Sequence, residues 1–185
     1  MKQLPVSKTR TVLSQIMTPL DANILGNVFG GSILSMIDLT ASATAQKYSG
    51  HTCVTASFDR VDFHEPIAVG SLVEMEGYVG YAGRTSMEIV IDVFSTNLKE
   101  GYRRQTNTAR VTMVAIENGK PVPVPTLVCE SREDKIRYVE GKLRKEIRSK
   151  YLSEIKALDT VFEAMEESKL DELIASSSVA EALNL

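Results

Sequence analysis

The sequence predicts an α+β domain in which one apolar helix lies against an antiparallel sheet. Three observations predict it. Residues 30–47 lack proline and are rich in Ala, Leu, Ile and Met, which suits a helix. Later segments alternate apolar and polar residues with the period of half-buried strands. Short glycine-containing turns, such as Gly80-Tyr81-Ala82-Gly83, join the successive strands, and short connections imply antiparallel pairing.

In order, the predicted elements are a strand, a helix and four strands. Residues 11–17 are short and partly apolar and stop before Pro19, which suits a strand. The helix follows over residues 30–47. Residues 51–63, rich in Thr, Val and Phe, read as a strand, as do residues 72–79, where Val73, Met75 and Val79 are spaced by twos. Residues 84–96 place Thr85, Met87, Ile89, Ile91 and Val93 on one face, and residues 102–116 do the same with Val111, Met113 and Ala115. Turn punctuation stops after Pro121-Val122-Pro123-Val124-Pro125: all six prolines and ten of the eleven glycines precede residue 131. The boundary is therefore set at 130, giving a domain over residues 1–130 and a helical C-terminal extension over residues 131–185. In the extension Ile136, Val139, Leu143, Ile147, Tyr151, Ile155, Leu158, Phe162 and Met165 recur at steps of three or four, one amphipathic stripe. Its charge is divided, basic over 132–150 and acidic beyond, as expected of a solvated helix whose stripe packs on the domain or on a second copy.

Composition narrows the function. At 185 residues, 43% hydrophobic and 24% charged, the chain reads as globular. A net charge of −3 argues against a nucleic-acid binder. No apolar run reaches membrane-spanning length, and Lys8, Thr9 and Arg10 interrupt any signal-peptide centre, so the cytoplasm is the expected compartment. Cys53 and Cys129 form no CxxC pair and read as free thiols. With two histidines, His51 and His64, no metal site is expected. The GxSxG elbow of serine hydrolases is missing, so hydrolytic chemistry would have to come from carboxylates, amides and backbone groups.

Such groups cluster in one stretch, from Asp21 to Ser32, and in the helix after it. Gly30-Gly31 opens the helix. Free N–H groups at a helix start can stabilise an oxyanion, although a glycine pair also permits tight packing. Asp38 is the only charged residue between Asp21 and Lys47, on a stripe with Leu34, Ala41 and Ala45. A buried carboxylate needs a partner or a task, such as base catalysis, whereas one at the helix margin simply faces water. Asn23 precedes the glycines in a polar turn; its amide can polarise a carbonyl or merely build the turn.

Together, DANILGNVFGG and the following SILSMIDLTAS resemble the hotdog-fold acyl-CoA thioesterases, the branch of the YciA-type and brain-type enzymes. The resemblance runs on through FHEPIAVGSLVEMEGYV, GRTSMEIVIDV, TARVTMVAI and GKPVPVP, over residues 10–130. It implies a hotdog fold, a curved antiparallel sheet wrapped around one long central helix, and hydrolysis of acyl-CoA to free fatty acid and CoA. It implies Asp38 as general base or nucleophile and Asn23 as its catalytic companion from another subunit. The N–H groups of Gly30 and Gly31 would polarise the thioester, and Arg84, Thr85 and Ser86 would lie near the CoA phosphates. It implies no cofactor and a homodimer assembling into a homohexamer, a trimer of dimers. Glu65 stands where relatives often carry Lys, which removes one expected CoA contact. His64 beside it suggests a dehydratase, but the Gly-Gly pair before Asp38 fits thioesterases better. The competing reading is a non-catalytic acyl-CoA-binding sensor; a scaffold built on the tail stripe is a third.

Overall fold

The structure, a computed structural model, describes residues 2–59, 61–63 and 65–183. Strands β1 (Gln3–Pro5) and β2 (Thr11–Ile16) lead through a loop into helix α1 (Gly30–Ser49). Strands β3 (Thr52–Phe58), β4 (Leu72–Ala82), β5 (Ser86–Asn97) and β6 (Tyr102–Glu117) follow, then the short β7 (Lys120–Pro121) and β8 (Thr126–Val128). Helices α2 (Arg132–Glu163), α3 (Glu167–Ala175) and α4 (Val179–Ala182) complete the chain. The main sheet is antiparallel in the order β2-β4-β5-β6-β3, with β7 on β6, while β1 and β8 form a small parallel pair.

Period-two alternation builds the inner face of the sheet. Val73 and Met75 on β4, Met87, Ile89, Ile91 and Val93 on β5, and Val111, Met113 and Ala115 on β6 are all buried. Against this face α1 buries Ile33, Met36, Ile37, Ala41, Ala45 and Tyr48. Each large side chain so enclosed contributes on the order of 2 kcal/mol. Small residues let the layers approach: a Cβ at Gly77 would lie 2.6 Å from Thr44 Oγ1 and 3.0 Å from Thr40 Cγ2. Thr40 and Thr44 satisfy their buried hydroxyls by donating to Met36 and Thr40 carbonyls at 2.8 Å, so this close seam leaves neither hydroxyl unpaired.

The strand ends differ from expectation in two places. β3 stops at Phe58 rather than reaching Phe63, because the chain leaves the sheet after Asp59 donates to the Arg110 carbonyl. The segment beyond supplies Ile67, whose carbonyl accepts from Val28 N–H at 2.8 Å. β4 continues past Val79, so the expected turn Gly80–Gly83 is largely strand: Tyr81 pairs with Glu88 and Ala82 with Met87 after a bulge at Gly80. The tail stripe is also interrupted, since α2 ends at Glu163, before Met165.

The chain divides into two compact units, one up to Gly141 and one from Lys142. In the first, the opening turns of α2 rest on β4 and β5. The Tyr138 and Tyr81 rings meet edge to face at 5.1 Å, and the Arg137 guanidinium lies 4.9 Å over the Tyr78 ring. In the second, Leu143, Ile147, Tyr151 and Ile155 stand exposed along one face of α2, and Leu173 on α3 is buried. Among the described residues no helix is long and apolar enough to cross a membrane.

Candidate active site

The loop before α1 is organised by Asn23. Its Oδ1 accepts from Leu25 N–H at 2.8 Å and Asn27 N–H at 3.2 Å, and its own N–H donates to the Asn27 carbonyl at 2.7 Å. Gly26 closes the turn at φ +79°, in the left-handed region that glycine tolerates. Turn building thus occupies the oxygen of the Asn23 amide. Nδ2 has no partner among the described residues, and Asn23 is one of the residues that line a cavity.

That cavity, of ≈ 370 Å³, is lined by Asn23, Gly30, Ile33, Phe63, Thr106 and Asn107, with Leu25, Asn27, Val28 and residues 65–67 completing it. Gly30 and Gly31 begin α1, and their N–H groups find no acceptor among the described residues; the nearest N–H groups bonded back are those of Ser32 and Ile33, both to Phe29. The two glycines serve different ends. Gly30 lines the cavity, whereas a Cβ at Gly31 would fall 2.2 Å from the Phe29 ring, so Gly31 also permits packing. Glu65 forms an ion pair with Arg104, whose Nη2 also donates to the Pro66 carbonyl at 2.8 Å. His64 lies outside the described residues.

Asp38 is two turns farther along α1. It is half-buried at the helix margin rather than enclosed, because it faces β3, an edge strand of the sheet. Thr55 Oγ1 on β3 donates to Asp38 Oδ1 at 2.5 Å. Within one chain this pair does not meet the cavity. Eight residues of helix separate Gly30 from Asp38, about 12 Å of rise. On the sheet, Thr55 is level with Met113 of β6, six residues from Asn107, roughly 20 Å of strand.

Arg84, Thr85 and Ser86 form the tight β4–β5 turn, in which Gly83 N–H donates to Ser86 and Ala115 N–H to Thr85. Ser86 pairs with Val114, itself paired with Val54. The turn is therefore at the Asp38–Thr55 end of the sheet, about two strand spacings, or ~10 Å, across. Arg84 is exposed. Among the described residues no group of three His, Cys, Asp or Glu side chains is placed to hold a metal.

Two groups were missed by sequence reasoning. Thr55 left no signal of its own, being one more Thr in a Thr-rich strand. Asn107 did leave one. The stripe Val111, Met113, Ala115 extended backwards by twos reaches Ala109 and then Asn107, a polar residue on a core face.

The model of the thioesterase superfamily matches residues 25–102. A Bacillus subtilis relative described as an uncharacterized acyl-CoA thioester hydrolase, YkhA, is 40% identical over 69% of this chain and 74% of its own length. The chain belongs to the thioesterase superfamily. Among solved members, an apo-hexameric acyl-CoA thioesterase is 42% identical, covers 82% of this chain and 98% of its own, and superposes with a TM-score of 0.78. With such neighbours the fold is the hotdog fold of this superfamily. A Staphylococcus aureus acyl-CoA hydrolase, solved with butyryl-CoA and CoA, is 30% identical over 86% of this chain and 98% of its own, with a TM-score of 0.77. That superfamily member has also been solved with single alanine substitutions of an Asn, an Asp and a Thr. Their spacings in sequence, 15 and 17 residues, equal those from Asn23 to Asp38 and from Asp38 to Thr55.

Proposed function

We propose that this protein is a cytoplasmic acyl-CoA hydrolase whose sites are each shared by two subunits, releasing free fatty acid and CoA. The observation that carries the reading is the division of the chemistry within one chain. Asn23 and Gly30, whose Nδ2 and N–H have no partner among the described residues, line one cavity, with the Gly31 N–H next along the helix start, while the carboxylate of Asp38, braced by Thr55, lies about 12 Å away along the helix. A two-fold axis passing beside α1 would bring one subunit's donors to the partner's carboxylate. Further support comes from surfaces that a second copy would cover: the fully exposed Leu20 and Ile24 in the donor loop, and Val54 and Phe58 on the edge strand β3. The spacing of the three residues substituted in the S. aureus relative points the same way.

In this site the thioester oxygen accepts hydrogen bonds that strengthen as it gains negative charge. Water adds to the carbonyl carbon and gives its proton to Asp38. The C–S bond breaks, and the CoA thiolate takes the proton back. In the alternative route Asp38 itself adds to the carbonyl, and water then hydrolyses the anhydride. After a single turnover in ¹⁸O-water, label in the Asp38 carboxyl group identifies the second route, with water attacking the Asp38 carbonyl of the anhydride, because the first route never places water oxygen there. Thr55 holds the carboxylate in either case. The exposed Arg84 guanidinium suits a CoA phosphate, with Thr85 and Ser86 beside it as hydroxyl donors. We take the assembly to be a trimer of such dimers, with a particle mass six times the 20.3 kDa chain.

The deciding experiment is steady-state turnover of an acyl-CoA panel, followed with a thiol reagent. CoA release that depends on Asp38 supports the enzyme. Tight binding with no release would identify a sensor instead.

A further inference from the structure

We propose that the acyl pocket selects acyl groups that carry an oxygen acceptor beyond the thioester, and that the side-chain amide of Asn107 reads that oxygen. The inference rests on acyl-CoA hydrolysis at this cavity and adds a substrate class to it.

Asn107 occupies an improbable place for an amide. It continues the inward stripe of β6 formed by Ala109, Val111, Met113 and Ala115, all fully buried, and it is itself only 7% exposed. A bulge sets its surroundings. Val93 of β5 pairs with Asn107 and Phe94 with Gln105, so Thr106 is the extra residue and is buried beside Asn107 rather than turned outward. The Thr106 hydroxyl lies 2.9 Å from Asn107 Oδ1 and 3.2 Å from the Val93 carbonyl. It has one proton to give, and the amide is assigned with Oδ1 towards Thr106, so that this proton goes to the shorter contact. Nδ2 is then left buried with no hydrogen-bond partner among the described residues. Buried polar groups are nearly always paired, and one that is not marks a place where something else belongs.

The cavity shows what belongs there. Its rim is the exposed part, Leu25 at 79% together with Phe63 and the half-buried Asn23, and its floor is Val28, Ile33, Ile67 and Asn107, all buried. The thioester carbonyl is held at the rim by Asn23 and the start of α1, so the acyl group runs down towards the floor. Among the described residues at the floor, Asn107 and Thr106 supply the polar side chains and Val28, Ile33 and Ile67 the hydrocarbon. A plain alkyl chain expels water from Nδ2 and gives it nothing in return, which weakens its binding in ground state and transition state alike. A keto or hydroxyl oxygen on the acyl chain accepts from Nδ2 and removes that loss. Sites built around a buried hydrogen-bonding group discriminate strongly against the ligand that lacks its partner.

The test uses matched acyl-CoA pairs on the full-length protein: acetoacetyl-CoA against butyryl-CoA, and 5-oxohexanoyl-CoA against hexanoyl-CoA. At least one keto compound should show kcat/KM higher than its match by on the order of tenfold or more. In Asn107→Leu the ratio should invert, the keto substrate losing and the alkyl substrate gaining. Equal rates within both pairs for the wild type would overturn the inference while leaving acyl-CoA hydrolysis intact. A parallel loss on all four substrates in Asn107→Leu, with a lowered Tm, would also overturn it, because Asn107 would then be structural. Failure to hydrolyse any of the four would instead remove the functional reading beneath it.

Discussion

The proposed division of the site between subunits can be tested by mixing two variants expected to be inactive. Asn23→Asp keeps the oxygen that accepts from Leu25 and Asn27 N–H, and so keeps the turn, but removes the NH₂ donor. Asp38→Asn is nearly isosteric and cannot accept a proton. Each variant alone should lose on the order of a hundredfold or more in kcat. Refolded together, about half the dimers are mixed under random pairing, and a two-fold axis gives each mixed dimer one intact site and one doubly defective site. Activity should therefore recover to about a quarter of wild type. The geometry makes this a sharp distinction. A thioester carbonyl and its attacking group must come within roughly 3.5 Å, whereas a single chain separates Asp38 from the donor cavity by about 12 Å of helix. The assay is CoA release after co-refolding, with one variant mass-tagged so that native mass spectrometry counts mixed dimers. Abundant mixed dimers with no recovered activity would refute the shared site.

Four further outcomes are expected. Asp38→Asn should retain a wild-type Tm, since the carboxylate is half-buried and its one described hydrogen bond, from Thr55, can be accepted by an amide oxygen; near wild-type turnover in a folded variant would remove Asp38 from the mechanism. Asn23→Asp should lower kcat more than it weakens binding of product CoA, measured by calorimetry, and the reverse pattern would make Asn23 a binding residue. Deleting residues 151–185 should change particle mass or stability more than kcat, because Asn23, Asp38 and Thr55 all precede it; light scattering and activity at one protein concentration check this. Alkaline pH should destabilise the fold. Burial, with Tyr138 nearby, holds the Tyr48 hydroxyl well above its usual range, and burial, with Asp92 nearby, raises Tyr78. The unfolded chain therefore releases these protons first, and stability present below pH about 10 falls as pH rises above it. Urea midpoints at successive alkaline pH values should decline, and decline less in Tyr48→Phe.

Much of the scaffold was legible because burial on one face writes itself into period two. Met87, Ile89, Ile91 and Val93 were assigned to one face from the sequence, and all are buried. The same rule fails where a register shift intervenes. Gly80 and Thr106 each add a residue to one strand, so a turn was read at Gly80–Gly83 where β4 continues, and the inward set of Thr106 beside Asn107 was not foreseen. The candidate site could be proposed where polar groups and glycines are concentrated in sequence, as in Asn23, Gly30, Gly31 and Asp38; of these, Asn23 and Gly30 line one cavity. The site was illegible where a partner arrives from a distant strand: Thr55 reaches Asp38 across the helix–sheet interface, and nothing in its neighbourhood singles it out. Of the two roles weighed for Asn23, turn building engages the amide oxygen, and the proposed polarising role would fall to the nitrogen, which has no partner among the described residues.

The brace on Asp38 comes from β3, and β3 is one of the two strands at the edges of the main sheet, with no partner on its outer side among the described residues. Anything that orders that edge also orders the carboxylate. Activity per chain should then depend on protein concentration, falling on dilution below the dissociation constant of the subunit pair. By thermodynamic reciprocity, a bound acyl-CoA that contacts both subunits must tighten their association by the same factor by which association tightens its binding. Substrate supply would thus act on the enzyme twice, filling its sites and multiplying the number of sites that exist.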